Sequence, residues 1–363
     1  MNSQIIFLNI LFLLVCFILS LTPYFTRKTE NFGVSIPESL YERKDFKGMR
    51  KKYSTSLLII GSIFGGGLFI LASILNEKTL IIMYTIIVFV YILLGFLIYL
   101  PFYKQMNKIK KAENWQEERK QSVIVDMKFR QEKLTYSQWW FLSSAIIIIA
   151  TIVITFLFFE RIPAQIPMHT DFSGNVSYEE KSIVNLLLLP GTQVLLLIMF
   201  IFINLIIKNA KQQVSVENPD TSKLQNLTFR RRWSAFLIWT AALVQLLLLF
   251  LQLTFIFPSL STYENLVIYG FTLIIIVGTI ILAFTTGQGG SRVKLGGQSD
   301  TKVIDRDDDR YWKLGQFYVN KNDPAIFIEK RFGIGWTNNW AHPLSWGLVL
   351  VLIIIIIIPI IFF

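Results

Sequence analysis

The chain has 363 residues, 53% of them hydrophobic and only 16% charged, and its mean hydropathy is +0.52. A soluble domain carries nearer one quarter charged residues, so this composition excludes an ordinary soluble fold and predicts an integral membrane protein. The 35 basic against 24 acidic residues would suit nucleic acid, but they lie in the connecting loops, where membrane topology explains them and no nucleic-acid partner is needed.

Apolar runs of roughly twenty residues recur at Ile5–Leu21, Ser56–Leu75, Leu80–Pro101, Trp140–Phe159, Ile183–Ile207, Trp233–Phe257, Leu266–Thr286 and Leu344–Phe363. Each is long enough to cross a core of about 30 Å as a helix. The predicted fold class is therefore an all-α polytopic membrane protein of about eight transmembrane helices, with a small cytoplasmic β-hairpin or sheet. The odd-numbered loops hold 32 of the 35 Lys and Arg and the even-numbered loops hold 3. By the positive-inside rule the odd loops are cytoplasmic and both termini extracellular. Met1–Gln4 carries no positive charge and the first run ends in Leu21-Thr22-Pro23-Tyr24, so residues 1–22 read as an uncleaved first helix rather than a signal peptide. The one cysteine, Cys16, lies inside it, which excludes a disulfide framework or a cysteine metal site within the chain.

The basic cytoplasmic loop 23–55 contains Ser35, with Glu38 three residues on, and Pro37. That capping signature predicts a short surface helix over about 37–53, with Lys44, Lys47, Arg50, Lys51 and Lys52 toward an anionic inner leaflet. Segment 56–139 holds the second and third helices. Gly61 and Gly65 are spaced to let another helix approach closely, with internal packing the favoured use. Lys104–Lys120 reads as helical with Trp115 as an interfacial anchor, after which residues 123–129 alternate as a half-buried strand.

Segment 140–207 carries the fourth and fifth helices around an external loop, 160–182. Among its prolines, glycine and carboxylates sits His169, one of two histidines in the chain. With Glu160, Asp171, Glu179 and Glu180 it suggests a metal or proton-sensing site. The plainer reading, a tight re-entrant turn shaped by Pro163, Pro167, Asp171 and Gly174, carries about twice the weight.

Segment 208–286 adds a basic cytoplasmic loop and the sixth and seventh helices. No predicted span contains an Asp, Glu, Lys or Arg, and a retained charge would usually mark an ion path. Asn9, Gln193, Asn204, Gln245 and Gln252 are the polar groups at depth, suited to hydrogen bonds between helices.

Segment 287–343 is a cytoplasmic hairpin domain. A flexible Gly287–Gly297 leads to Asp305, Asp307 and Asp309, which imitate a calcium loop but have Gln316 where its bidentate Glu belongs, so a solvated acidic patch is expected. Trp312–Asn320 and Ala325–Phe332 then predict a hairpin turning on Asn322-Asp323-Pro324, with strand 123–129 alongside. Trp336, Trp340 and Trp346 mark the entry to the last helix, 344–363. No nucleophile, metalloprotease or phosphate-loop motif occurs. The expectation is a protein that is not an enzyme, with no cofactor and no metal.

Ile166-Pro167-Met168-His169, Gly174 and Lys181, set between two spans, resemble the domain of unknown function found in SdpI-type bacterial immunity proteins. Trp312, Gly315, Phe317, Tyr318, Asn320, Asp323, Pro324, Lys330, Arg331, Gly333, Gly335 and Trp336 resemble a second uncharacterised domain that accompanies the first. The resemblance implies a bacterial cell-membrane protein that senses or blocks an external peptide or envelope stress, with a cytoplasmic regulator as partner. The alternative is a transporter or export component whose glutamines line a path.

Overall fold

The computed structural model describes residues 3–115, 132–170, 176–213, 219–293 and 308–350. Seven helices dominate it. They are α1 (Ser3–Ser20), α2 (Lys44–Leu71), α3 (Glu77–Ala112), α4 (Leu142–Leu157), α5 (Ile183–Asn209), α6 (Pro219–Ile256) and α7 (Glu264–Thr286), and residues 343–350 begin another. Six of the described helical segments are long and apolar enough to cross a membrane, and the α1 segment Ile5–Ser20 is a shorter apolar helix. The chain is thus a polytopic helical membrane protein with small two-stranded sheets.

The helices start and stop where local chemistry requires. Asn76 caps α3 by accepting the Thr79 amide at 3.0 Å, and Ser182 caps α5 through the Asn185 amide at 3.1 Å. Gly287, at φ +64°, ends α7. The surface helix expected over 37–53 is absent as a separate element. Residues 38–40 make one 3₁₀ turn, and α2 runs unbroken from Lys44 into the apolar span. Arg50 does not face lipid headgroups: it is buried and donates to the Tyr41 carbonyl at 2.8 Å. The helix expected to Lys120 ends at Ala112, and Trp115 packs edge-on against Phe46. Strand 123–129 lies outside the described residues.

Helices α1, α2 and α3 share one core, in which Phe12, Cys16, Leu57 and Tyr91 are buried together. Gly61 and Gly65 bring α1 against α2. A Cβ on Gly61 would stand 2.7 Å from the Cys16 Cβ, and one on Gly65 would stand 2.7 Å from a Leu13 methyl. Helices α4, α5 and α6 form a second group joined by polar side chains at depth. Gln193 donates to the Gln245 carbonyl at 3.0 Å and to Thr151 Oγ1 at 3.2 Å, and Gln245 returns a bond to the Gln193 carbonyl at 3.2 Å. Gln252 donates to Thr155 Oγ1 and the Leu186 carbonyl. Ser234 donates to Asn204 Oδ1 at 2.7 Å. Asn9 instead bonds within its own helix, to the Ile5 carbonyl. Phe7 stacks on Tyr269, tying α1 to α7.

Helix α6 defines the long axis. Its 38 residues span roughly 57 Å at about 1.5 Å each. Its first turns meet the segments around Arg27, Ala210 and Glu329, all from odd-numbered loops. Its last residues, Phe255 and Ile256, pack on the 162–166 segment. The two ends of the molecule are therefore chemically distinct.

Gly61→Ala is expected to lower the melting temperature by an overpacking cost of about 1–3 kcal/mol. Gly66→Ala, where the added methyl meets nothing within 4 Å, serves as the matched control and should leave it unchanged in a thermal unfolding assay.

Candidate functional sites at the two ends

At one end, the segment expected to be a re-entrant turn is a β-hairpin. Strand β1 (Gln165–Thr170) pairs antiparallel with β2 (Val176–Glu180), placing Ile166 opposite Glu179 and Pro167 opposite Tyr178. The register shifts between Pro167 and His169, where proline supplies no amide to a ladder. His169 stands opposite Ser177. Its side chain, Asp171 and Gly174 lie outside the described residues. Among the described residues no cluster of three His, Cys, Asp or Glu is placed to hold a metal.

The hairpin is fixed to the bundle by β1. Ile162 and Ile166 are buried with Leu186, Phe255 and Ile256, and Met168 packs beside them. Pro163 stays exposed in the connection. Lys181 closes the base: its amide donates to the Ala164 carbonyl at 2.8 Å. Its ammonium donates to the Ile162 and Phe159 carbonyls at 3.1 and 3.3 Å and sits 4.5 Å from the Phe159 ring. In contrast, β2 is open, with Ser177 through Glu180 all exposed.

At the other end, odd-numbered loops converge on strand β5 (Phe327–Glu329) and the residues just after it. Strand β3 (Trp312–Lys313) pairs with β4 (Phe317–Tyr318), and β5 pairs with β6 (Trp336–Asn338). The single hairpin expected to turn on Asn322-Asp323-Pro324 is therefore replaced by two shorter ones. The first turn falls at Leu314 and Gly315, with φ of +52° and +69°, a backbone that glycine permits. A Cβ on Gly315 would lie 2.4 Å from the Tyr99 hydroxyl, which donates to the Leu314 carbonyl at 2.8 Å. The second turn uses Gly333 and Gly335, at φ +88° and +106°.

A turn does fall here, at Lys321 and Asn322, with the Asp323 amide donating to the Asn320 carbonyl at 3.4 Å, but it joins no paired strands, and Asp323 is also a hub. It accepts from Lys211, from the Tyr318 hydroxyl at 2.8 Å and from the Ala325 amide at 3.0 Å. Burial pushes its carboxyl up, but these partners outweigh burial and hold it below its ordinary 3.8. Buried Asn339 donates to the Asn320 and Asp323 carbonyls, while Asn320 donates to the Tyr318 hydroxyl. Phe317 packs on Phe96 and Trp340, and Trp336 on Phe229. Pro324 and Lys330 are exposed.

Two buried ion clusters lie beside β5. Glu329, fully buried, pairs with Arg27 and with Arg230 at 3.5 Å and accepts from Asn226 at 2.7 Å. Arg230 also donates to the Ile207 and Ala210 carbonyls. Arg331 pairs with Asp308, Asp309 and, at 3.8 Å, Glu30, with its guanidinium 5.1 Å from the Trp312 ring. Asp309 also receives Lys110 at 2.6 Å and the Ser35 hydroxyl at 2.9 Å. The expected solvated acidic patch is thus corrected at Asp309, because an Arg and a Lys neutralise it; Asp305 and Asp307 lie outside the described residues.

The glycine segment is likewise corrected over its described part, 287–293. Gln288 is buried, donates to the Lys330 and Gly335 carbonyls at 3.1 and 2.9 Å, and accepts the Gly335 amide at 2.7 Å. It is an ordered clasp, not a flexible linker. Sequence reasoning missed Arg27, Glu30, Lys110, Arg230, Gln288 and Glu329; the one usable signal was an acidic run inside an otherwise cationic loop.

The fold and its two polar ends define a multi-pass membrane protein. Residues 146–194, which include the hairpin, match the domain of unknown function DUF1648, a membrane-associated family. Residues 321–346, which include the second ion-paired hairpin, match DUF5808, a family of unknown function. No curated protein and no solved structure matches the chain.

Glu329→Leu is expected to cost about 3–5 kcal/mol by removing the carboxylate that faces the fully buried Arg230, measured as lost monodisperse protein and a lowered melting temperature. Asp323 has a depressed folded-state pKa, so its contribution is complete above 3.8 and is lost as pH falls below that value. The melting-temperature gap between the parent and Asp323→Asn should therefore be full at pH 7 and close in strong acid.

Proposed function

We propose that this is a non-enzymatic bacterial cell-membrane protein of the SdpI-like type. In this reading the 165–180 hairpin faces outside and senses or blocks an external peptide or envelope stress, and the ion-paired module is cytoplasmic and presents a surface to a soluble regulator. The observation that carries it is the two-ended construction: the segments matching the two families stand at opposite ends of α6, one open and one locked by buried charge. The loop-charge asymmetry supports the orientation, since the ion-paired end gathers the cation-rich loops expected inside. Trp139 and Trp346, exposed at the same end, suit an interfacial belt. With this orientation both termini are outside.

Cells lacking the gene should become more sensitive to membrane-active peptides, with resistance restored by the full chain but not by a variant whose hairpin 165–180 is replaced by a glycine-serine linker. Unchanged sensitivity across a panel of such peptides would refute the proposal. Equal rescue by the hairpinless variant would remove the hairpin from it.

A further inference from the structure

The hairpin offers only one surface on which a further chain can be built. Strand β1 is committed to the bundle, with Ile166 buried and Met168 packed on the same apolar cluster, and Pro167 removes an amide from it. Strand β2 has neither restraint. Successive strand residues point to opposite faces, yet Tyr178, Glu179 and Glu180 are all exposed, so over 178–180 both faces of β2 meet solvent. Among the described residues the hairpin has no third strand, and apart from the Glu180 carbonyl, which accepts from Asn185 Nδ2 at 2.9 Å, its outer strand presents backbone amides and carbonyls as a template. Tyr178 is 57% exposed.

Charge selects the occupant. The even-numbered loops, the hairpin's loop among them, contain in sequence Glu77, Glu160, Asp171, Glu179, Glu180 and Glu264 against Lys78, Arg161 and Lys181. The net is −3 in a chain whose total is +11. Glu160, Glu179 and Glu180 have no ion-pair partner among the described residues. Lys181 is engaged with the Phe159 and Ile162 carbonyls and Arg161 rests 5.1 Å from the Phe158 ring. Glu179 and Glu180 project to opposite faces of β2, so a chain laid along this edge meets a carboxylate on each side. A second copy of the hairpin would set glutamates against glutamates, which disfavours self-pairing. Next to β2, Ile183 and Val184 are 57% and 71% exposed, giving apolar side chains of the occupant a place at the base.

We infer that β2 binds an extended cationic, partly apolar peptide as a third strand, with main-chain hydrogen bonds giving the register and Glu179 and Glu180 giving the preference for positive charge. The inference rests on reading the hairpin as the recognition element and supplies the class of peptide it takes.

The test uses the full chain in nanodiscs of uncharged phosphatidylcholine and a fluorescent ten-residue peptide with equal numbers of Lys and Val. Saturable binding by anisotropy is expected, weakened about three- to tenfold by Glu179→Gln/Glu180→Gln, since exposed ion pairs contribute modestly. Both positions are exposed, and an unchanged size-exclusion profile confirms that the variant folds. The same peptide with alternate backbone nitrogens methylated keeps its charge but cannot join a strand, and should lose saturable binding. Equal binding by the methylated peptide, equal binding by a Glu/Val peptide, hairpin-mediated dimerisation in its place, or no binding would each overturn the inference. If the gene protects cells while this peptide fails to bind, the inference falls and the wider proposal stands; binding without protection gives the reverse.

Discussion

The burial of Arg331 and Glu329 on and just after one short strand is the constraint on which the ion-paired end depends. A buried charge is tolerated only with partners, because desolvation of an ion costs several kcal/mol. Here the partners come from far along the chain. Arg331 meets carboxylates from 308–309 and position 30, and Glu329 meets cations from positions 27 and 230. Lys110, at the end of α3, reaches the same Asp309. The two clusters thus bind the ends of α3 and α5 and the start of α6 to the N-terminal loop. Each of Arg331, Asp309 and Glu329 meets more than one opposite charge. Such pairs confer specificity of assembly more readily than net stability.

Inside the span the rule is different. There the adhesives are neutral: paired glutamines, threonines and a serine–asparagine contact between α4, α5 and α6, and glycine-mediated approach between α1 and α2. Lipid provides little hydrophobic drive for helices to associate, so small residues and hydrogen bonds have to supply it. The chain therefore uses charge where loops meet and neutral polarity where helices cross.

This division explains which features were legible in the sequence. The spans were visible because twenty-residue apolar runs and alternating loop charge are collective signals, which no single residue can hide. A close helix approach at Gly61 and Gly65 was equally readable, since small residues four apart favour it, but that the partner is α1 comes only from the fold. The 165–180 hairpin was hidden by its own chemistry. Pro163 and Pro167 look like breakers, and β2 is polar on both faces, so it lacks the alternation that marks a half-buried strand. The C-terminal turns were misplaced because Asn322-Asp323-Pro324 is a strong turn signal, whereas the positive-φ position before Gly315 is taken by leucine. Asp323 keeps its place in a 320–323 turn, but its carboxylate is held by Lys211 and Tyr318, partners that no local pattern reveals. The buried ion pairs join residues as far apart as Glu30 and Arg331, and nothing in a local window announces them.

The two ends consequently differ in how freely they can respond. At the ion-paired end, separating the elements that share Glu329 and Arg331 would break several buried ion pairs together, so movement there is costly. At the hairpin end, β2 stands outside the apolar cluster in which Ile162 and Ile166 hold β1 on Leu186 and Ile256. Helix α6 contacts both ends, and its Gln245 and Gln252 bond to backbone carbonyls of α5. A shift of α5 caused at the hairpin would have to break these bonds or carry α6 with it. Because α6 also holds Arg230 against Glu329, the same helix that anchors the hairpin anchors the ion cluster.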